Sequence, residues 1–448
     1  MGSDLGHSAP RVHGGVPGET GRRWIDLLAR TECPSLTARR ARRAEQSGAA
    51  HDPIVWARAT GVNVVDTDGN VFVDLTGGFG AASIGHGHPH VVASVQEQAP
   101  RLLHALGDVH PSDVKVRLLE RLVSLSPWPY GRAILGLNGS DAVEAALKSA
   151  VLCTGRPGVL AFEGGYHGLG HGPLAACGYK ASFRAPFADQ LNPHIVFAPW
   201  PASDASPEDA VAAAMDAWDR SGEAIGAVLL EPVQGRAGVR IPPDGFLARL
   251  GDAARARGAV VIADEVLTGL GRCGSLWRSV ASGLTPDLLC LGKALGGGMP
   301  ISACVGRSEV MAAWGRPGGE AIHTGTFFGH PMSSVAALAM LEVLAEERLE
   351  ERARAGEALL IDRLVPLARH HGTVRTVRAA GLLVGIELDD ASLALSAVRL
   401  LLERGWLVLP AGTDGRVVQL SPPLGIAAAL LEQFVDTFDA VLTELGAP

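Results

Sequence analysis

Residues 286–300 read PDLLCLGKALGGGMP, a short apolar run that ends in a lysine and a glycine-rich loop. Lysine side chains normally keep their ammonium group in water. A lysine at the end of a buried strand is desolvated, so its pKa falls and its amine becomes a nucleophile toward an aldehyde. The chain has few lysines, and we predict that Lys293 in this stretch is functional; the others are Lys115, Lys148 and Lys180.

Similar apolar runs lie along the chain between about Arg101 and Thr326, where they alternate with helical patterns. The runs read RAILGL, GVLAF, AVLLEP, AVVIADE and DLLCLG. Apolar runs of this length, bounded by turn signals, are typical of buried parallel strands. Their alternation with helices predicts a large α/β domain in which a mostly parallel sheet is sandwiched between helices.

Both ends of the chain predict a smaller α+β domain. Residues 62–75 read as two short strands around an Asp-Gly turn. After Pro331 a long helical stretch is followed by short strand-like pieces and a final helix. The predicted organisation is an N-terminal arm and helix over 1–50, with residues 1–20 mobile, the N-terminal part of the small domain over 51–100, the large domain over 101–330 and the C-terminal small domain over 331–448.

Composition narrows the class of protein. The chain has 448 residues, a formal net charge of −8 and 19% charged residues, which argues against a nucleic-acid-binding surface. The first residues lack the apolar segment of a secretory signal, and no apolar stretch approaches the ~20 residues of a membrane span. The 6 cysteines show no paired or metal-like spacing. We therefore expect a cytoplasmic protein in a reducing compartment, with small-molecule ligands and no metal, membrane or nucleic acid.

The segments that follow the apolar runs carry the candidate chemistry, because ligands of open α/β sheets bind beyond the carboxyl ends of the strands. After RAILGL come Asn138, Gly139, Ser140 and Asp141, and then a helical pattern. Glycine allows a close backbone approach, and a helix N-terminus offers free N–H groups and a positive dipole end. Gly139 and Ser140 are therefore candidates for a phosphate cradle, and the alternative is that Ser140 and Asp141 are simply an N-cap.

Two further strand ends carry a ring and an acid. After GVLAF comes Tyr166, which could stack on a flat ligand ring or be a buried loop tyrosine. After AVVI comes Asp264, which could bind a cationic ring nitrogen or form a structural salt bridge. Together with Lys293, these sites supply a phosphate cradle, a stacking ring, an acid and an aldehyde-binding amine. Pyridoxal 5'-phosphate (PLP) requires each of them.

In combination, the sequence blocks resemble those of the class-III aminotransferases, PLP enzymes of fold type I. The resemblance runs from about Asp66 to Pro423. The blocks, in the family's order, are GHGHP at 85–89, NGSDAVEAALK from Asn138, GGYHG from Gly164, EPVQGRAGV from Glu231, ADEVLTGLGRCG from Ala263, PDLLCLGKALGGGMP from Pro286 and HTGTFFGHPMSSVAALA from His323.

The resemblance implies a role for each cofactor contact. Lys293 holds PLP as a Schiff base and moves the substrate proton, and Asp264 keeps the pyridine nitrogen protonated. Tyr166 stacks on one face of the ring and Val266 packs on the other. Gly139 and Ser140 hold the phosphate, and Thr326 reaches the phosphate of the partner subunit. The resemblance therefore also implies a homodimer with shared active sites.

Four positions depart from the family members that act on ω-amino acids. Gln419 replaces an arginine of the last strand, Arg236 replaces its glutamate partner, Leu169 replaces a second arginine and Phe79 replaces a tyrosine. The bidentate clamp for an α-carboxylate is thus missing at Gln419. We hypothesise that Arg236 binds the carboxylate of one substrate from a different wall, while Leu169 and Phe79 give a more apolar pocket for the other. The alternative is that Arg236 is a surface arginine.

The implied reaction is reversible transfer of an amino group between an amine or amino-acid donor and an oxo acid, aldehyde or ketone. Leu267 stands where many family members carry glutamine near the cofactor, so a racemase, epimerase or aminomutase on the same fold stays open as the alternative. The intact set of Lys293, Asp264 and Tyr166 argues against a non-catalytic PLP-binding homologue. The absence of a G-x-G-x-x-G fingerprint after a first strand argues against a nicotinamide dehydrogenase.

Overall fold

The computed structural model describes residues 5–48, 53–315 and 318–446. These residues divide into two compact units, one formed by Met1–His88 with Glu351–Pro448 (unit 1) and one formed by Pro89–Glu350 (unit 2). Part of the predicted arm and helix over 1–50 lies outside the described residues. Within the described ranges, no helix has both the length and the apolar character needed to cross a bilayer.

Unit 1 begins with two helices and a small antiparallel meander. Its N-terminal elements are α1 (Glu19–Thr31), α2 (Pro34–Ser47), β1 (Trp56–Thr60), β2 (Asn63–Asp66), β3 (Val71–Asp74) and the short α3 (Gly77–Gly80). Strands β2 and β3 pair antiparallel, which confirms the two strands predicted in 62–75. The carboxylate of Asp66 shapes the turn between them, because its Oδ1 accepts the N–H groups of Asp68 and Asn70 at 3.0 and 2.8 Å.

The segment that precedes α1 is bound to this meander. The side-chain oxygen of the buried Asn63 accepts the N–H groups of Gly6 and Ser8 at 2.8 and 2.9 Å. Arg11 pairs with Val71 as an antiparallel bridge. The expectation of a mobile arm is therefore wrong for residues 6–11, because a buried amide needs these partners.

Unit 2 holds the large sheet and the helices around it. Its elements are α4 (Pro89–Gln98), α5 (Asp113–Ser124), β4 (Gly131–Gly136), α6 (Gly139–Thr154), β5 (Gly158–Phe162), α7 (His171–Ala175), α8 (Ala181–Arg184), β6 (Ile195–Ala198), α9 (Pro207–Ser221), β7 (Ile225–Leu230), α10 (Phe246–Ala256), β8 (Val260–Asp264), α11 (Arg278–Ala281), β9 (Leu288–Leu291), β10 (Ser302–Arg307), α12 (Ser308–Met311) and α13 (Pro331–Glu346). Short 3-10 turns cover Ala185–Gln190, Lys293–Gly296 and Ala312–Gly315.

The sheet of unit 2 has the strand order β4-β10-β9-β8-β7-β5-β6 in the described part of the chain. Strand β10 runs antiparallel to β4 and β9, and the other neighbours pair in parallel. This confirms the mostly parallel sheet. Side chains of β7 alternate between two cores, with Val228 packing on the face covered by α9 and α10 and Leu229 on the face covered by α6. Burial on both faces explains why these strands read as unbroken apolar runs.

The second half of unit 1 contains α14 (Leu349–His370), which crosses the unit boundary, β11 (Val374–Ala380), β12 (Leu383–Leu388), α15 (Ala391–Glu403), β13 (Trp406–Leu407), β14 (Leu409–Ala411), β15 (Val417–Leu420) and α16 (Ala428–Gly446). One sheet has the order β11-β12-β15-β14, and β13 adds in parallel to β3. The sequence placed α13 at the start of the C-terminal small domain, whereas compactness groups it with unit 2, where it packs on α4 and α5.

Candidate active site

Lys293 lies one residue beyond the end of β9, after Gly292, and begins a 3-10 turn with a backbone φ of +40°. Positive φ is uncommon for residues other than glycine and is concentrated at functional sites. Burial lowers the pKa of the Lys293 amine, and the Arg236 guanidinium lowers it further, while the carboxylates of Asp264 and Glu231 oppose the shift. The lowered pKa enlarges the share of neutral amine, the form that attacks an aldehyde.

Asp264 ends β8 and is 4% exposed. Its Oδ2 lies 2.8 Å from Nδ1 of His167, and its Oδ1 accepts the N–H of Val266 at 3.1 Å. A carboxylate has about four acceptor sites, so Asp264 keeps the capacity to bind one further cationic N–H. The predicted structural ion pair and the predicted binding of a ring nitrogen are therefore compatible with each other.

His167 and Glu231 are buried site residues to which the sequence assigned no role, although both stand in the quoted blocks. His167 is 3% exposed, and in the described part of the chain its Nε2 finds no hydrogen-bond partner. Glu231 follows β7 and accepts the N–H of Tyr166 at 2.8 Å. Burial raises the pKa of Glu231 to about 7; His167 opposes the shift and Asp264 adds to it.

The N-terminus of α6 is capped by residues other than those that the sequence offered for the phosphate. The side chain of Asn138 accepts the N–H of Asp141 at 3.3 Å, and the Asp141 carboxylate accepts the N–H of Asn138 at 3.2 Å, so the two form a capping box. Gly139 and Ser140 are the first two residues of the helix, where N–H groups point out of the end. The cap leaves them available for an anion.

Close packing brings this helix end to Val266 and to Gly292, the residue before Lys293. A Cβ built on Gly139 would lie 2.9 Å from a methyl group of Val266, so only glycine fits there. A Cβ on Gly292, the residue before Lys293, would lie 3.3 Å from the same methyl group and 3.5 Å from Cα of Gly139. A backbone without side chains next to free N–H groups matches what a phosphate-bearing cofactor needs, and the residues present therefore fit PLP.

Tyr166 lies against a second tyrosine and an arginine. Its ring meets that of Tyr179 edge-on, with 6.1 Å between centroids. The guanidinium carbon of Arg236 lies 4.6 Å from the Tyr166 centroid and 5.2 Å from that of Tyr179. Arg236 is half-buried and acts on the pKa of Lys293, so the structure places it in this site and not on a remote surface.

The other predicted residues are not brought to this cluster by any contact described. Leu169 is 52% exposed in unit 2, and Thr326 is exposed beside His104, Lys115 and His330, which line a small surface pocket with it. Phe79 and Gln419 belong to unit 1, the first 63% exposed with φ +61° and the second half-buried in β15. Among the residues that the structure describes, no His, Cys, Asp and Glu side chains cluster in a way that could hold a metal ion.

Comparison with known sequences gives a coherent result. The family model of the class-III aminotransferases matches residues 45–442. The chain is similar to the acetylornithine aminotransferase of Methanothermobacter thermautotrophicus, at 35% identity over 397 residues, covering 88% of this chain and 95% of the relative. It is also similar to the 4-aminobutyrate aminotransferase of Mycobacterium tuberculosis, at 34% identity over 453 residues, covering 95% and 98%.

Comparison with solved structures agrees. An amine transaminase from an uncultivated Pseudomonas species, solved in its PLP-bound form, superposes with a TM-score of 0.82 at 29% identity over 88% of this chain and 95% of that one. A thermostable (S)-enantioselective ω-transaminase from Thermomicrobium roseum superposes with a TM-score of 0.82 at 27% identity over 89% and 94%.

Proposed function

Because this chain belongs to the class-III aminotransferases, we propose that Lys293 is the amine that holds its PLP cofactor and carries the proton during amino transfer. The family, fold type I, the PLP cofactor and the aminotransferase activity predicted from the sequence are confirmed. The observation that carries the assignment of Lys293 is its burial next to Gly292, which packs against Gly139 and Val266, and within reach of the charge of Asp264, with a pKa lowered by burial.

Each residue of the site then has a defined task. Bound PLP supplies an aldehyde carbon and a ring that accepts electrons. Lys293 Nζ would supply the amine and would then take and return the substrate proton, which a lowered pKa favours near neutral pH. Asp264, held by His167, would keep a proton on the ring nitrogen. Tyr166 and Val266 would pack against the ring, and Gly139 and Ser140 would hold the phosphate at the start of α6.

The assignment of Lys293 is tested by reducing the yellow holoenzyme with borohydride and mapping its peptides by mass. The expected adduct is on Lys293. An adduct on Lys115, Lys148 or Lys180 instead, or none, would overturn the assignment.

Incubation with an amine donor and no oxo acid checks the reaction type. An aminotransferase releases about one equivalent of oxo product per site and stops, because the cofactor is used stoichiometrically. An epimerase would exchange solvent deuterium into the donor without stopping.

We further propose that the protein is a homodimer whose sites are shared. Support comes from the surface around Thr326 in unit 2, where large apolar side chains are exposed. They are Leu103, Leu106, Val109, Ile322 and Phe327, between 46% and 68% exposed. In the proposed dimer they are covered, and the hydroxyl of Thr326 donates to the phosphate held by the partner subunit. Sedimentation of the holoenzyme as a monomer would contradict this.

Thr326→Ala is expected to weaken PLP binding about tenfold, because one hydrogen bond to a charged phosphate is lost. The measurement is an absorbance titration of cofactor-free protein with PLP. Thr324→Ala is the matched control, since Thr324 is also exposed and lies two residues earlier in the same segment. Equal PLP affinity of Thr326→Ala and the wild type would remove Thr326 from the site.

For the substrate we propose that Arg236 binds a carboxylate and that Leu169, in the same unit, makes part of the pocket apolar. Arg236→Ala is expected to raise KM for carboxylate-bearing substrates about 10- to 100-fold and to change KM for a neutral amine donor little. Arg236→Lys keeps the charge but loses the planar fork, so its KM for carboxylate-bearing substrates should lie between those of the wild type and Arg236→Ala. Steady-state kinetics check this, and an unchanged KM for every acidic substrate would show that Arg236 is not the clamp.

A further inference from the structure

Glu231 is a buried carboxyl group for which the reaction described above has no use. It is 5% exposed and lies directly after β7. A buried carboxylate is costly unless its oxygens are hydrogen-bonded. Here each oxygen has a backbone donor: Oε1 accepts the N–H of Tyr166 at 2.8 Å, and Oε2 accepts the N–H of Gly235 at 3.3 Å.

The two donors belong to different loops. Tyr166 lies in the loop after β5, and Gly235 is the second residue of the loop 234–240, where it immediately precedes Arg236. This second loop is closed by reciprocal backbone bonds between Gln234 and Arg240, at 3.1 and 3.0 Å. It also contains Val239 at φ +56°, a conformation that strains a β-branched residue. Surrounding contacts must therefore hold its shape, and the Gly235–Glu231 bond is one of them.

The same two loops meet again through their side chains. The Arg236 guanidinium carbon lies 4.6 Å from the centre of the Tyr166 ring. One carboxylate thus anchors the backbone at Tyr166 and next to Arg236, whose side chains stack on each other. The relative position of the proposed cofactor-stacking ring and the proposed substrate-binding cation therefore depends on Glu231, together with the bond that Gln234 Nε2 donates to the carbonyl oxygen of Glu163 at 2.8 Å.

We propose that Glu231 is a positioning residue that holds Tyr166 and Arg236 in register with each other. The proposal rests on the proposed function, which gives those two residues their tasks. An ionised carboxylate accepts hydrogen bonds at both oxygens, whereas a carboxamide or a protonated carboxyl offers one good acceptor and turns a donor toward the other N–H. Only the ionised form of Glu231 therefore serves both loops.

Protonation of Glu231 links this arrangement to pH. The charged and titratable groups that interact with it are His167, Asp264, Lys293 and Cys177. The pKa of Glu231, raised by burial to about 7, places its proton uptake in the neutral range. As pH falls through 7, one of the two bonds is lost, and the longer one, to Gly235, is the weaker. The loop carrying Arg236 is then released first.

The test compares the full-length holoenzyme with Glu231→Gln. In the variant, the backbone amide of Gly235 is expected to exchange with deuterium at least about tenfold faster than in the wild type, because one hydrogen bond is lost. KM for a carboxylate-bearing substrate should rise about tenfold, with a smaller change in kcat. The wild-type KM for that substrate should rise as pH falls through 7, and this inflection should be absent in Glu231→Gln. Glu231→Asp, which keeps the charge, should recover part of the wild-type behaviour in each of these measurements.

Glu265→Gln is the matched control. Glu265 is as buried as Glu231 and accepts the N–H of Ser279 and the hydroxyl of Thr268, both at 2.6 Å, but touches neither loop. Its substitution should lower the melting temperature without changing Gly235 exchange or the pH inflection.

Wild-type exchange at Gly235 and a wild-type pH dependence of KM in Glu231→Gln would overturn the inference and leave the proposed function intact. If Glu231→Gln fails to fold, the pH dependence of the wild-type KM is sufficient as a test. A wild-type KM for the carboxylate-bearing substrate that shows no inflection near pH 7 contradicts the inference. Failure of the proposed function looks different: the wild type would show no borohydride adduct on Lys293 and no amino transfer, whatever the exchange data.

Discussion

We expect Lys293→Ala to lower kcat for amino transfer by about 10⁴-fold or more, because in the proposed mechanism one substitution removes both the amine that attaches the cofactor and the base that moves the proton. The variant should still bind PLP, since Gly139, Ser140 and Asp264 are unchanged. The borohydride adduct should be absent. Single-turnover absorbance measurements with an amine donor give the rate.

Lys148→Ala is the control for this substitution, because Lys148 lies in the same unit, 3.7 Å from Glu144 on the partly exposed side of α6. It should keep wild-type kcat. A small exogenous amine should restore part of the activity of Lys293→Ala, since it replaces the lost base. Activity of Lys293→Ala within tenfold of the wild type would show that another group does the chemistry.

Asp264→Asn has the second largest expected effect, a fall in kcat of about 10²- to 10³-fold. The amide carries no charge with which to keep a proton on the ring nitrogen, and groups that stabilise charge inside a buried site typically contribute this much. The loss should appear in kcat far more than in KM, since the carboxylate does not touch the substrate. Steady-state kinetics measure kcat and KM, and the PLP dissociation constant measures cofactor binding.

The control for Asp264→Asn is His167→Asn. His167 acts through Asp264, so its substitution should reduce kcat less than Asp264→Asn while also removing the 2.8 Å contact. If His167→Asn proved as damaging as Asp264→Asn, the histidine rather than the acid would govern the protonation of the ring. Equal kcat of Asp264→Asn and the wild type would remove the acid from the proposed mechanism.

The strands that the sequence predicted share one property. β4, β5, β7, β8 and β9 are short apolar runs bounded by turn residues, and the core on each face of the sheet explains the pattern. The sequence did not predict β10, because SACVGR mixes Ser, Gly and Arg into the strand. No local pattern indicates that this strand inserts antiparallel between β4 and β9. β6, of four residues at the sheet edge, gave too weak a signal.

The candidate site divides in the same way. The sequence offered Lys293, Asp264 and Tyr166 as candidates because each lies at or just after the end of a recognisable strand and has a residue type suited to one part of the cofactor. His167 and Glu231 were not, because their tasks come from partners 97 and 65 residues away along the chain. The capping box likewise required coordinates, because the sequence offered Ser140 and Asp141 as the N-cap, whereas the structure has Asn138 and Asp141.

The place of β10 in the sheet also bears on how the protein is made. In the described chain β4 has one strand neighbour, β10, although about 165 residues separate them in order of synthesis. Until the ribosome has synthesised β10, β4 lacks its strand partner. The start of α6, which follows β4, then has no complete sheet to pack on. The start of α6, where the cofactor phosphate is proposed to bind, therefore reaches its final packing only after β10 has been synthesised.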